Sequence, residues 1–192
     1  MDSSGNVYVA DRDNHRIRKI TTADRIEDRM VSTLAGSGDA AFTDATGNAA
    51  KFNYPSGVAV DSSGNVYVAD RGNHRIRKIT PAGVLSTLAG TGTSGYRDGA
   101  ANTAKFDYPG DLAVDSSGNV YVADTHNDRI RKITPAGVVT TFAGSGTEGF
   151  ADGAANTAKF DYPTGVAVDS AGNVYVADSD SHRIRKIEYK VP

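Results

Sequence analysis

The sequence predicts an all-β protein built from four repeated antiparallel sheet units. The phrase Gly-Asn-Val-Tyr-Val-Ala-Asp occurs four times, beginning at Gly5, Gly64, Gly118 and Gly172. The starts lie 59, 54 and 54 residues apart, and a fixed period of this size indicates stacked supersecondary units. Within each unit, short runs rich in Val and Ile alternate with Gly, Pro, Asn and Ser. That alternation is typical of strands joined by tight turns.

One unit, residues 55–108, contains four strand-like runs that we name a to d. They cover residues 57–61, 66–70, 75–80 and 84–89. Val66 and Val68 lie on one face of strand b, and Tyr67 and Ala69 lie on the other. Neither face is polar, so the sheet is covered on both sides. A four-stranded sheet between similar sheets is a propeller blade.

Strand c and the connection after strand d need separate accounts. Ile76 and Ile79 are three residues apart, so we expect a bulge or arginine stems that cover the neighbouring blade. In the linker from strand d to the next strand a, residues 98–106 resemble a helical turn capped by Asp98. Phe106 is expected to pack against the barrel.

The strand phrases predict 14 strands in the order bcd, abcd, abcd, abc, so the terminal blades are incomplete. The repeat units cover about 1–54, 55–108, 109–162 and 163–192 of a single propeller domain or propeller fragment at 1–192. The four blades either close on themselves or leave two open faces. Open blade faces are large apolar patches, so we expect self-association into a homodimer or a larger ring.

Composition excludes several classes of protein. The formal charge is −2, from 21 basic and 23 acidic residues, which gives no overall attraction to nucleic acid or anionic lipid. No segment is apolar enough to span a membrane. The chain has no cysteine, so disulfides and thiolate sites are excluded. Met1 is followed at once by a repeat, with no signal peptide, and we expect a piece of a longer protein.

These phrases resemble the NHL repeat family in its bacterial long-linker form. The resemblance rests on Gly-Val-Ala-Val-Asp, Gly-Asn-Val-Tyr-Val-Ala-Asp and Asn-His-Arg-Ile-Arg-Lys-Ile, the last beginning at Asn73. It implies a β-propeller, usually of six blades, and a bacterial secreted or cell-surface parent. It also implies three activities known among relatives: partner binding, metal-dependent lactonase or lyase chemistry, and RNA binding.

Variation between the copies predicts where a ligand binds. Strand alternation places the b–c loops and the d–a linkers at one end of the blade, and these segments differ between copies. The a–b turns repeat almost unchanged at the other end. Variable loops on a rigid scaffold commonly bind ligands, although drift on exposed loops is the alternative. The predicted rim comprises Arg12, Asp13, His15, Arg71, His74, Tyr96, Arg97, Thr125, His126, Asp128, Glu148, Phe150, Ser179, Asp180 and His182.

Metal binding is the alternative for two sets of rim and turn residues. His15, His74 and His182 share one repeat position, but the third unit has Asp128 there, so we predict solvated loop histidines. An aspartate ends each strand a, and such residues either cap the a–b turn or ligate calcium. Capping is simpler, so no cofactor is predicted. These turn residues are Asp61, Asp115 and Asp169.

Three other patterns have structural explanations. Asp70, Asn73 and Arg75 recur in other units, which predicts a side-chain network at the b–c corner. Residues 90–95 and 144–149 match GxGxxG but lie in no βαβ unit, so they are loop glycines. The four Arg-Ile-Arg-Lys tetrads are expected to be packing stems in strand c with solvated heads.

Repetition without residues unique to one blade favours a non-catalytic scaffold that binds a protein, peptide or glycan on the rim. The alternatives are a metal-dependent lactonase or lyase, an RNA-binding domain, or a propeller piece whose only activity is assembly. Because the charge balance is slightly acidic, nucleic acid is the least favoured partner.

Overall fold

The computed structural model describes residues 1–188, which form four antiparallel sheets. The first sheet holds β1 (Val7–Asp11), β2 (Arg16–Ile20) and β3 (Val31–Ala35). The second holds β4 (Pro55–Val60), β5 (Val66–Asp70), β6 (Arg75–Ile79) and β7 (Leu85–Ala89). The third holds β9 (Asp111–Val114), β10 (Val120–Asp124), β11 (Arg129–Ile133) and β12 (Val138–Ala143), with β8 (Gly99–Ala100) on its outer edge. The fourth holds β13 (Pro163–Val168), β14 (Val174–Asp178) and β15 (Arg183–Ile187).

The predicted all-β propeller and its strand order bcd, abcd, abcd, abc are confirmed, with β8 as an addition. In the described part of the chain, five short 3-10 helices join these strands: Arg12–Asn14, Ile26–Asp28, Gly47–Ala49, Arg71–Asn73 and Thr125–Asn127. Within residues 1–188, no helix is long and apolar enough to cross a membrane.

A bulge between strands c and d explains the odd spacing of the isoleucines. Ile76 pairs with Ala89, but the next residue, Arg77, pairs with Thr87, so Leu88 is the extra residue of β7. The same shift occurs in the first and third sheets. The bulge prediction is therefore confirmed, and both sides of strand c enter packed surfaces.

The predicted helical turn capped by Asp98 is wrong. The Asp98 carboxylate instead binds Arg131, and the following residues form β8 beside β12. A single turn remains, in which the amides of Thr103 and Ala104 donate to the Ala100 carbonyl. The cap is lost because a buried guanidinium takes the carboxylate. Phe106 is fully buried, as expected.

The core lies between successive sheets, and each linker delivers one phenylalanine into it. Phe52, Phe106 and Phe160 occupy equivalent places and are at most 2% exposed. Phe106, for example, packs with Ile76 of the second sheet and Val122 of the third. Full burial of such a side chain contributes about 1.5–3 kcal/mol, so each linker holds two blades together.

The two outermost faces of the four-sheet stack remain open to solvent. On the first sheet, Val7, Val9 and Val31 are 37%, 37% and 55% exposed. On the fourth, Ile184 is 75% exposed, whereas its counterparts Ile76 and Ile130 are fully buried. We name Val7, Val9 and Val31 the N-terminal open face, and Tyr175, Ala177 and Ile184 the C-terminal open face. The sheets thus form an open arc.

Candidate binding face

In the first three blades, the b–c corner ends in a residue with left-handed backbone geometry whose side chain holds the next linker. His15 and His74 have φ of 52° and Asp128 has φ of 50°. The Nδ1 atom of His15 accepts the amide of Tyr54 at 3.1 Å, and that of His74 accepts the amide of Tyr108 at 3.2 Å. The Oδ1 atom of Asp128 accepts the amide of Tyr162 at 3.0 Å.

This shared contact explains why histidine and aspartate alternate at one repeat position. The position requires a hydrogen-bond acceptor for a linker amide, and both side chains provide one. The prediction of solvated loop histidines is therefore wrong for His15 and His74, because their inward Nδ1 atoms accept linker amides and the His15 side chain is buried. His182, at the same position of the fourth blade, is exposed.

His74 is held as a neutral imidazole. Its Nδ1 atom accepts a hydrogen bond, so the ring proton lies on Nε2. Burial lowers the pKa of His74, and the Asp107 carboxylate, whose Oδ1 lies 3.4 Å from Nδ1, opposes this only in part. The corner histidine is therefore a structural acceptor at neutral pH.

Four side chains from two neighbouring blade junctions meet on the rim in an aromatic–basic cluster: Arg71, Tyr108, His126 and Tyr162. The Arg71 guanidinium stacks on the Tyr108 ring at 4.9 Å and donates to the Tyr162 hydroxyl at 3.1 Å. The His126 ring centroid lies 4.6 Å from that of Tyr108 and 5.3 Å from that of Tyr162. Its Nε2 atom lies 3.3 Å from the Tyr162 hydroxyl. The cluster combines a fixed cation with aromatic faces and polar tips.

The cluster contains two predicted residues and two that sequence reasoning missed. Arg71 and His126 were predicted for the rim, and His74 supports Tyr108 from beneath. Tyr108 and Tyr162 were treated only as linker residues. Their signal was the Tyr-Pro pair that ends every linker, because a recurring aromatic beside variable loops marks a shared surface.

Asp111 is a further residue that the repeat comparison missed. It stands in β9 where the neighbouring blades have Gly57 and Gly165, and it accepts the Val166 amide at 3.2 Å. Burial raises the pKa of Asp111. A side chain at Gly57 would lie 2.5 Å from the Asp111 Cα, so the inner strands are in close contact there. The signal in the sequence was an aspartate in one copy of strand a at the position where the other copies have glycine.

The remaining predicted rim residues are spread around the cluster rather than gathered in it. The Arg12 guanidinium lies 5.8 Å from the Tyr54 ring, and Thr125 is buried, donating to the Pro163 carbonyl at 2.8 Å. The Ser179 hydroxyl contacts that of Thr164. The following predicted residues are exposed on their loops: Asp13, Arg97, Glu148, Asp180 and His182.

Tyr96 and Phe150 attach their linkers to the next blade. Arg129 stacks on the Tyr96 ring at 3.9 Å, and Arg183 stacks on the Phe150 ring at 4.0 Å. Both rings remain close to half exposed. Their guanidinium contacts stabilise the linker on the next blade.

The prediction that the arginine tetrads have solvated heads is wrong for the second arginine. Arg131 is fully buried, and its guanidinium lies 2.6 Å from both Asp124 and Asp98. Arg77 forms the equivalent pairs with Asp70 and Asp44. A linker aspartate meets Arg77, Arg131 and Arg185 in the last three blades, so these three charges are paired with carboxylates.

The corner network predicted from recurrence is confirmed. The Asn73 amide donates to Asp70 at 2.9 Å, and Arg75 donates to the Asn73 carbonyl at 3.3 Å and to the Thr91 carbonyl at 2.7 Å. In the fourth blade Ser181 replaces the asparagine. Its buried hydroxyl has no hydrogen-bond partner among residues 1–188.

The strand a aspartates cap their turns with both carboxylate oxygens. In Asp61, Oδ1 accepts the amides of Ser63 and Asn65, and Oδ2 accepts the Asn65 amide group and the Tyr67 hydroxyl. Burial and the hydrogen bond to Asp61 raise the pKa of Tyr67 to about 12. In the described part of the chain, no three His, Cys, Asp or Glu residues are placed to hold a metal ion.

A family model described as NHL repeat matches residues 1–20, 52–79, 106–133 and 160–187. The chain is 30% identical to NHL repeat-containing protein 2 of Bos taurus, over 96% of this chain and 30% of that protein. It therefore spans less than a third of that relative's length.

Solved structures share the fold. An auxiliary nutrient binding protein from Bacteroides thetaiotaomicron has a TM-score of 0.75 at 22% identity, covering 97% of this chain and 46% of the other. A gluconolactonase from Xanthomonas campestris has a TM-score of 0.65 at 16% identity, covering 98% and 56%. The scaffold thus occurs in binding proteins and in enzymes.

Proposed function

We propose that this chain, which belongs to the NHL repeat family, is a non-catalytic propeller module that binds a peptide or glycan on its b–c and d–a rim. The observation that supports this is the aromatic–basic cluster, where Arg71, Tyr108, His126 and Tyr162 meet from different blades. Such unlike residues on a repeated scaffold form the most distinctive surface of the rim.

The chemistry of the cluster favours a ligand that carries a carboxylate. A guanidinium binds carboxylate oxygens in a planar fork, and the stack on Tyr108 holds Arg71 in place for that contact. The tyrosine faces suit the apolar side of a sugar ring or a peptide side chain. The Tyr162 hydroxyl and the His126 Nε2 atom add hydrogen-bonding groups at the same place.

A catalytic role has less support from the residues. Asp111 is the unlike carboxylate among the inner strands, and its Oδ2 atom accepts a backbone amide. No second acid pairs with it among the hydrogen bonds of residues 1–188, and acid–base chemistry on a substrate normally needs a positioned partner. Binding therefore accounts for more of the rim than catalysis does.

Calorimetric titration with oligogalacturonate and with the uncharged oligogalactose tests the proposal. We expect oligogalacturonate to bind more tightly, and Arg71→Ala to abolish the difference because the guanidinium is lost. Arg12→Ala is the matched control, since Arg12 occupies the same corner position but only approaches a ring at 5.8 Å. Equal binding by wild type and Arg71→Ala, with both correctly folded, would reject the cluster as the site.

We also propose that the chain self-associates through its two open faces, which would pack against each other as neighbouring blades do within the chain. The N-terminal open face presents valines at positions whose second-sheet counterparts, Val66, Val68 and Leu85, are at most 2% exposed. Ile184 presents the complementary apolar surface at the other end. Burial of such side chains between copies would be favourable by about 1.5–3 kcal/mol each.

Light scattering tests this association. Wild type is expected as a dimer or larger ring above 20.1 kDa, and Ile184→Lys as a monomer. Val84→Lys is the control, because Val84 is 44% exposed but lies in a bridge to Thr46, outside both open faces. A monomeric wild type at high concentration would contradict the proposal.

A further inference from the structure

His126 occupies a corner position whose contact with the fold is made by the backbone. The His126 amide donates to the Asp107 carbonyl at 3.1 Å. Gly72 and Asp180 stand at the same repeat position of the second and fourth blades, and their amides donate to the equivalent linker carbonyls at 2.8 and 3.1 Å. Glycine and aspartate therefore make this contact as well as histidine does, so the fold does not require the imidazole ring.

The imidazole ring of His126 instead contacts the tyrosines of the aromatic–basic cluster. The Tyr162 hydroxyl lies between two nitrogen groups: Arg71 donates to it at 3.1 Å, and the His126 Nε2 atom lies 3.3 Å away. Because a guanidinium can only donate, the hydroxyl accepts from Arg71 and keeps its own proton for another acceptor. A neutral imidazole offers that acceptor at Nε2, whereas a protonated imidazole can only donate. The charge of His126 therefore decides where the Tyr162 hydroxyl proton points.

Charged and titratable groups surround His126 from its own corner, from the second-blade corner and from two linkers. They are Asp128 and Arg129, Arg71 and His74, Asp107 and Tyr108, and Asp161 and Tyr162. Two of the carboxylates have partners in the fold: Asp128 accepts the Tyr162 amide at 3.0 Å, and Asp107 lies 3.4 Å from the His74 Nδ1 atom. Burial lowers the pKa of His74, so that imidazole resists protonation. Protonation of the exposed His126 thus places a second cation beside Arg71.

From this geometry we propose that the cluster binds anionic ligands more tightly when His126 is protonated, a regulation that rests on the ligand site proposed above. While His126 is neutral, the Tyr162 hydroxyl donates its proton to Nε2 and is unavailable to a ligand. When Nε2 carries a proton, it donates to the Tyr162 oxygen, and the hydroxyl proton turns outward to the ligand. The ligand carboxylate then meets one more donor and one more positive charge.

The size of the effect follows from one added charge at a partly exposed site. An imidazole changes its charge between about pH 5 and pH 8, whereas a uronate carboxylate stays ionised over that range. Oligogalacturonate is therefore expected to bind about fivefold more tightly at about pH 5 than at about pH 8, the effect of one exposed charge pair. The uncharged oligogalactose should show no such change, because it has no carboxylate to meet the added charge.

Calorimetric titration with oligogalacturonate across this pH range tests the proposal, and two buffers with different enthalpies of protonation measure proton uptake on binding. We expect His126→Gln to remove both the pH dependence and the proton uptake. The variant should fold, since Gly72 and Asp180 occupy the same position. His74→Asn is one control, because its amide oxygen can still accept the Tyr108 amide while the imidazole is lost. His182→Gln is the other, because His182 lies exposed on the fourth-blade corner. Both controls should keep the pH dependence.

Equal affinity at both ends of the pH range, with Arg71→Ala still weakening the binding of oligogalacturonate, would overturn the regulation and leave the ligand site standing. A pH dependence that survives in His126→Gln, or that His74→Asn abolishes, would assign the proton to another group and would also overturn it. Wild type that shows no preference for oligogalacturonate over oligogalactose at any pH would reject the ligand site together with its regulation.

Discussion

Replacing Arg131 by alanine tests the central energetic feature of the fold, the buried Asp–Arg–Asp bridge between linker and blade. Arg131 is fully buried and donates to Asp124, to Asp98 and to the carbonyls of Arg97 and Lys105. Its removal leaves the fully buried Asp124 carboxylate with only the Asp107 amide and the Asn127 side chain as donors.

The expected loss follows from this burial. Breaking a buried ion pair by removing one partner costs about 3–5 kcal/mol, because a charge is left unpaired away from water. Arg18 occupies the same repeat position in the first blade, but it is 32% exposed and, among residues 1–188, pairs only with Asp11, at 3.2 Å. An exposed pair contributes about 0–1 kcal/mol, so Arg18→Ala should cost far less.

Urea unfolding followed by far-ultraviolet circular dichroism measures both losses, with equal m-values required for the comparison. Where Arg131→Ala is too unstable to fold, Arg131→Lys keeps the charge without the planar fork and should lose less. The double variant Arg131→Met, Asp124→Leu should recover most of the stability, since it leaves no buried charge. Equal losses for Arg131→Ala and Arg18→Ala, within about 0.5 kcal/mol, would refute the reasoning.

Three further outcomes are expected. Asp111→Asn should be more stable than wild type at pH 7 and equally stable near pH 3. Burial raises the folded-state pKa of Asp111, so wild type loses stability as the pH rises above the unfolded-state pKa of 3.8. A difference between the two urea midpoints that does not change with pH would contradict this. Asp128→His should keep the acceptor for the Tyr162 amide and change stability little, whereas Asp128→Leu should cost about 1–3 kcal/mol in the same unfolding assay. Asp61→Asn should lower the Tyr67 pKa from about 12 toward 10.0 in a spectrophotometric titration, and an unchanged pKa would assign the shift to burial alone.

Much of the blade could be predicted from short-range patterns. The spacing of Ile76 and Ile79 indicated the bulge, and the composition of the strands indicated two covered faces. The linker was harder, because Asp98 followed by Gly and Ala fits a helix cap equally well. Its true partner, Arg131, lies 33 residues away, and no local pattern distinguishes a solvated arginine from one that meets two carboxylates.

The candidate site was only partly predictable for the same reason. Arg71 and His126 were found because variable loops stand out against a constant repeat. Tyr108 and Tyr162 belong to the Tyr-Pro pair that ends every linker, and a search for variable positions passes over such a recurring signal. They become one only because Arg71 and His126, from different blades, reach them in space.

By itself the sequence determined the repeat, the strand order and the need for acceptors and turn caps at the corners. These depend on residues a few positions apart, whose relative directions the strand and turn geometry dictates. The tertiary structure decided which arginines are buried and which rings meet on the rim. Those outcomes depend on the neighbouring blade, because burial and long-range charge pairing exist only once the sheets are packed.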